Sequence, residues 1–174
     1  GSQLVASGTA LAVHSLEDDS DFLVIPYSTG GGIRSVCWHP RIQCFLTVDD
    51  ARSMRRWRPD GTLLTVSTGH LTSIGFRVDW SHDSQLLAIS DSPPNDAIRV
   101  YSRSGVIDNT FEGDWPIAWH PAERQIAVRQ HHGQSFEIRD AQGTQTPIRV
   151  GIATSAKSVA WSPDGKRLAF GRDD

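Results

Sequence analysis

The chain has 174 residues, 38% of them hydrophobic and 21% charged, with 15 glycines and 9 prolines; this is enough apolar material for a buried core, and the turn residues suit many short strands. A formal net charge of −3 without any lysine or arginine run excludes a dedicated nucleic-acid binder, which carries a basic stripe. No stretch approaches the ~18–20 apolar residues of a membrane-spanning helix and no signal peptide opens the chain, so an intracellular, cytoplasmic protein is expected.

In chain order, Leu4–Gly8, Ala10–His14 and Phe22–Pro26 read as three short strands. A glycine turn at Gly30-Gly31-Gly32 leads into Ile33–Trp38, and the turn His39–Gln43 is followed by the apolar run Cys44–Val48. A third strand, Ser53–Arg58, a turn at Arg58–Gly61 and a weaker fourth strand, Leu63–Ser67, complete a unit. The pattern then recurs. Trp80, Trp119 and Trp161 stand where Trp38 does, at intervals of 42, 39 and 42 residues, and each precedes a turn and an apolar run: Leu86–Ser90, Ile126–Arg129 and Leu168–Gly171. Third strands return at Ala97–Ser102 and Ser135–Asp140. No helical-length segment shows a 3.6-residue apolar period. Four short strands repeated about every 40–45 residues are the signature of a β-propeller blade.

The expected fold is therefore all-β: a propeller of four-stranded antiparallel blades, about four of them present. Its divisions are a partial blade at 1–28, blades at 29–68, 69–112 and 113–152, and a partial blade at 153–174. The partial blades supply three and two strands, so the repeat runs off both ends, and the chain is expected to be a segment of a larger propeller. Gly1-Ser2 reads as a cloning scar, with native termini missing. Unpaired end blades would favour self-association.

The unit resembles the WD repeat. The resemblance rests on Gly69-His70 ahead of a first strand, on Val159-Ala160-Trp161-Ser162-Pro163-Asp164-Gly165, and on third strands ending Trp57-Arg58 or Tyr101-Ser102 where that family has Trp-Asp. Residues 162–170 would also suit a TolB-like propeller. Departures are plain: one unit keeps the Gly-His pair, and the closing Trp-Asp pair is replaced by His14-Ser15, Trp57-Arg58, Tyr101-Ser102 and Arg139-Asp140. The family's buried Asp-His-Ser/Thr-Trp network is therefore not expected to be complete in any blade.

Most residues that invite a chemical reading have a structural one. Trp38, Trp80, Trp119 and Trp161 are expected in the core between blades, because equal placement in each blade is what interblade packing needs. Cys37 and Cys44 flank a turn; two free thiols are expected, although a disulfide across the hairpin is conceivable, and no zinc spacing occurs. Neighbouring His131 and His132 would point to opposite faces of a strand and make a poor chelate. His39 and His120 occupy the turn after the tryptophan. Asp49-Asp50 and Asp91–Asp96 suit loop capping, and the acidic run Glu17-Asp18-Asp19-Ser20-Asp21 suits a solvated connection. No catalytic motif, metal site or cofactor site is expected.

One constellation points to binding. Four residues before each repeat tryptophan stand Arg34, Phe76, Trp115 and Lys157, where the first strand of each blade enters one rim. Two cations and two aromatics match the composition of a protein-binding hot spot. The expected function is a non-catalytic protein–protein interaction scaffold with other proteins as partners. Two alternatives remain: a propeller accessory that gates substrate for an attached enzyme, prolyl-peptidase-like or TolB-like, and a half-propeller that pairs with a copy of itself into a homodimeric ring.

Overall fold

Seventeen β-strands and no helix make up the described residues, which in this computed structural model are 2–7, 10–15, 23–26, 32–68, 75–91, 96–130, 135–151 and 156–172. They form five sheets, each a meander in which consecutive strands are hydrogen-bonded neighbours. The first holds β1 (Ser2–Ser7), β2 (Ala10–Ser15) and β3 (Leu23–Pro26). The second holds β4 (Ile33–Trp38), β5 (Phe45–Asp49), β6 (Ser53–Trp57) and β7 (Leu63–Thr68). The third runs through β8 (Gly75–Trp80), β9 (Leu86–Asp91), β10 (Ala97–Ser102) and β11 (Ile107–Glu112). The fourth comprises β12 (Asp114–Trp119), β13 (Gln125–Arg129), β14 (Ser135–Asp140) and β15 (Ile148–Gly151), and β16 (Ala156–Trp161) with β17 (Leu168–Arg172) makes the last. The three, twelve and two strands read from the repeat are the strands observed.

The strands divide into two compact units, Gly1–Val78 and Asp79–Asp174, with the division inside β8. In the first unit Leu11, Val13 and Ile25 of the first sheet pack on Phe45 and Trp57 of the second, with Ile33, Val36 and Trp38 against them. Trp38 meets Phe45 edge-on at 5.3 Å between centroids, and Phe45 stacks on Trp57 at 6.4 Å. Each such aromatic buries ~150–250 Å², worth about 4–6 kcal/mol at ~25 cal/mol/Å².

The second unit repeats the arrangement twice. Leu86, Ala88, Ile98, Val100 and Phe111 of the third sheet pack on Trp119, Ile126, Val128 and Ala141 of the fourth. The fourth sheet in turn offers Ala127, Phe136 and Val150 to Ala156, Val159, Trp161, Leu168 and Phe170 of the last. Second strands are the most enclosed, with β5 and β9 buried from end to end. That is why they read as unbroken apolar runs rather than as alternation.

Polar bonds accompany this packing. Trp119 Nε1 donates to the carbonyl of Asp79 at 3.0 Å, and Trp161 Nε1 donates to the carbonyl of Ala118 at 3.1 Å. Each acceptor is the residue just before the tryptophan of the preceding sheet, so Trp119 and Trp161 hydrogen-bond one sheet to the next as well as packing it. Among these four Trp119 is fully buried, while Trp38, Trp80 and Trp161 are half-buried. Trp38 Nε1 is enclosed but has no hydrogen-bond partner among the described residues.

Turns are stapled too. His120 Nδ1 accepts from the backbone N–H groups of Ala122 and Glu123, at 3.2 and 2.9 Å, which assigns the proton to Nε2, 3.1 Å from the carbonyl of Gly165. Arg124 Nε donates to Asp83 at 2.7 Å. His39 closes its own turn through Nδ1, accepting from Arg41 and Ile42. Both histidines therefore do structural work, as their turn position implied.

Candidate protein-interaction surface

The first strands do not pair regularly. In β4 the register with β5 passes from Ile33↔Asp49 to Ser35↔Val48, skipping Arg34. In β16 the register with β17 passes from Ala156↔Arg172 to Ser158↔Gly171, skipping Lys157. In β12 the register with β13 jumps from Asp114↔Arg129 to Ile117↔Val128, skipping Trp115 and Pro116, which are joined by a cis peptide. Arg34, Trp115 and Lys157 are thus bulge residues, each released from the ladder at the same place in its sheet. Bulges re-aim side chains and are frequent beside functional sites. The side chain of Phe76 lies outside the described residues.

Two of the four expected positions meet. Lys157 Nζ lies 6.0 Å from the centroid of the Trp115 ring, and the guanidinium carbon of Arg129 lies 5.4 Å from it. Arg129, from the end of β13, is ion-paired with Asp114 and donates through Nη1 to the carbonyl of Ala156 at 3.3 Å. A half-buried indole is thereby flanked by one enclosed, neutralised guanidinium and one exposed ammonium. Cation–π contacts of this kind contribute about 0.5–1 kcal/mol each at exposed sites.

Arg34 stands in the first unit, where it pairs with Asp50 just beyond β5. Asp50 also accepts the Gly32 N–H at 3.0 Å. The Arg34 hydrogen bond, helped by Gly32 and working against some burial, holds the Asp50 carboxyl below its ordinary range. The two units thus use a cation–carboxylate pair between first and second strands with the signs exchanged: Arg34–Asp50 in one, Asp114–Arg129 in the other.

Neither Asp114 nor Arg129 stood out in the sequence. A signal existed, however: Arg129 ends an apolar run at the position where Val48, Ser90 and Gly171 stand in the other repeats. Asp49 and Asp91, by contrast, are structural. Asp49 Oδ1 accepts the Ser53 N–H at 2.8 Å and its other oxygen pairs with Arg55; Asp91 pairs with Arg99. In the fourth sheet the place of Arg55 and Arg99 is taken by Glu137, which is buried between Arg139 and Arg149. Cys37 and Cys44 are not joined in a disulfide, Cys44 being buried and Cys37 half-buried.

No three His, Cys, Asp or Glu among the described residues could hold a metal ion, and no helix is long and apolar enough to cross a membrane. His131-His132, Glu17–Asp21, Gly30-Gly31 and Gly69-His70 lie outside the described residues.

No family model matches the chain. It is 29% identical over 142 residues to the WD repeat-containing protein VIP3 of Arabidopsis thaliana, a match covering 70% of this chain and 43% of that protein. It also superposes with a TM-score of 0.74, at 16% identity, on a chain in the solved structure titled "Crystal Structure of Mitotic Checkpoint Complex", over 97% of its own length and 56% of that chain's. The chain is WD-repeat-like in sequence and in fold. It spans less than half of VIP3 and little more than half of the solved chain.

One bond of the Ser/Thr–Trp kind expected from the WD-repeat resemblance is present: Trp57 Nε1 donates to Thr47 Oγ1 at 3.0 Å, both residues buried. In the neighbouring repeats Ile89 and Val128 replace Thr47, and Tyr101 and Arg139 replace Trp57. Among the described residues the Trp57–Thr47 bond stands beside apolar packing, the ion pairs of Asp49, Asp91 and Glu137, and the indole-to-carbonyl bonds of Trp119 and Trp161.

Proposed function

We propose that the chain is a non-catalytic protein-interaction platform that engages its partner through the bulged residues of its first strands. The observation that carries the reading is the shared bulge: the strand register skips Arg34, Trp115 and Lys157 at the same position of each sheet, and Trp115 and Lys157 converge with Arg129. A β-ladder gains nothing from such interruptions, whereas a binding rim gains a side chain aimed away from the sheet. Similarity to a WD-repeat protein, and to a chain from a structure named as a complex, supports the same reading. Replacing Arg34, Phe76, Trp115 and Lys157 together with Ala is expected to abolish recovery of partners in a quantitative pull-down while circular dichroism stays that of the parent. Unchanged recovery would end the proposal.

A second reading is favoured by one observation. The first sheet contains the second, third and fourth strands of a blade among its described residues, and Trp38 Nε1 lacks the first-strand carbonyl that Trp119 and Trp161 each use. A strand from another copy could supply it, giving a closed homodimer. Sedimentation equilibrium distinguishes the cases: a discrete dimer supports pairing of copies, and a strict monomer at micromolar concentration removes it.

A further inference from the structure

We infer that β7 is a self-pairing edge: two copies of the chain join antiparallel along it, about a two-fold axis through Thr65. The strand is the last of its sheet, paired with β6 on one side, and an edge strand offers its outward N–H and C=O groups to any extended segment that fits. Leu63, Leu64, Thr65 and Val66 are all exposed. The other fourth strands carry devices that resist such pairing. β3 has four residues and closes on Pro26, which lacks an N–H; β11 presents exposed Asp108 and Glu112; β15 has four residues and carries Arg149, whose side chain is 83% exposed. Short length, proline and charge are the usual guards of a sheet edge. β7 has six residues, and from Gly61 to Phe76 the chain contains no Asp, Glu, Lys or Arg.

The strand is the complement of its own edge. With the axis at Thr65, the two Thr65 residues lie opposite each other, and Leu64 of each copy lies opposite Val66 of the other. Side chains alternate along a strand, so Leu64 and Val66 share one face and Thr65 takes the other. Threonine opposite threonine is a favourable cross-strand pair, and the Leu–Val contacts remove exposed apolar surface from water. A charged segment would find no counter-charge on β7, whereas a copy of β7 meets no like charge. The two-fold uses up the edge that it joins, so pairing stops at two copies. Six residues a side fall well short of the roughly 20–30 of a standard interface, so the pairing is weak and is read at high concentration. It uses neither the bulged first strands nor the Trp38 indole.

The test is sedimentation equilibrium at concentrations up to about 0.5 mM, where a weak pairing populates, on the parent, Thr65→Lys, Thr65→Glu and an equimolar mixture of the two variants, each verified as folded by circular dichroism. The parent is expected to pass from monomer to dimer as concentration rises. Each variant alone opposes like charges on the axis and is expected to dimerise at least about tenfold more weakly. Their mixture opposes Lys to Glu and is expected to recover the dimer. A parent that stays monomeric throughout, or a mixture no more associated than its components, would overturn the inference. A dimer that Thr65→Lys leaves intact would overturn it too, by placing the contact on another surface.

Discussion

Asp79 carries a carboxyl where the next two repeats have Ala118 and Ala160. Burial, opposed only in part by hydrogen bonds from the Trp80 and Trp119 backbone, pushes it up to about 6. Ionising it in the folded protein therefore costs about 3 kcal/mol relative to an ordinary carboxyl. The folded state binds the proton more tightly than the unfolded state, so between pH 4 and 6 stability falls as pH rises, and the full penalty is present above pH 6. Asp79→Asn keeps an acceptor for the Trp80 N–H and removes the charge. Chemical denaturation is expected to show the variant more stable at pH 8 by about 1–3 kcal/mol, with the advantage vanishing near pH 4; equal stability at both values would contradict the assignment. Gly165 is a second single-residue test. Its φ of +70° is costly for any other residue, and an added Cβ would lie 2.2 Å from His120 Nε2. Gly165→Ala is expected to lose roughly 2 kcal/mol or more, read as a fall in Tm. Nothing in the motif Ser162-Pro163-Asp164-Gly165 shows the contact with His120, which comes from the preceding repeat.

At the scale of strands and turns, the repeat was legible because each blade element has a local cause. Turns carry Pro, Gly and Asp, as in Arg58-Pro59-Asp60-Gly61, and buried second strands carry continuous apolar runs, as in Leu86-Leu87-Ala88-Ile89. The bulges were not legible, because a register shift depends on which residue of the neighbouring strand faces each position. Only Pro116, which has no N–H to give to a ladder, hinted at one of them. The indole bonds between sheets were equally hidden: periodicity placed Trp119 and Trp161 in the core but could not name the carbonyls of Asp79 and Ala118. Trp119→Phe keeps most of the buried area and deletes the N–H, so urea denaturation is expected to show a loss of about 1–2 kcal/mol, against about 3–5 for Trp119→Ala. Similar losses for the two variants would mean that packing contributes little and the hydrogen bond nearly everything.

For the whole molecule, the spacing of four tryptophans was enough to read a propeller and its strand count, since each interval encodes one full meander. It was not enough to read the site. Choosing the residue four places before each tryptophan found three bulge positions, but nothing in the residue order signalled that Trp115 and Lys157 converge or that Asp114 and Arg129 complete the cluster. Those contacts join residues from adjacent repeats or across a hairpin. On the proposed reading Trp115 and Lys157 engage the partner and contribute little to folding, in contrast to Trp119, four positions on. The most direct test is the dissociation constant of a pull-down partner for the W115A/K157A variant relative to the parent protein. A loss of affinity of at least tenfold in a variant that melts within a few degrees of the parent is expected; unchanged affinity would contradict the account.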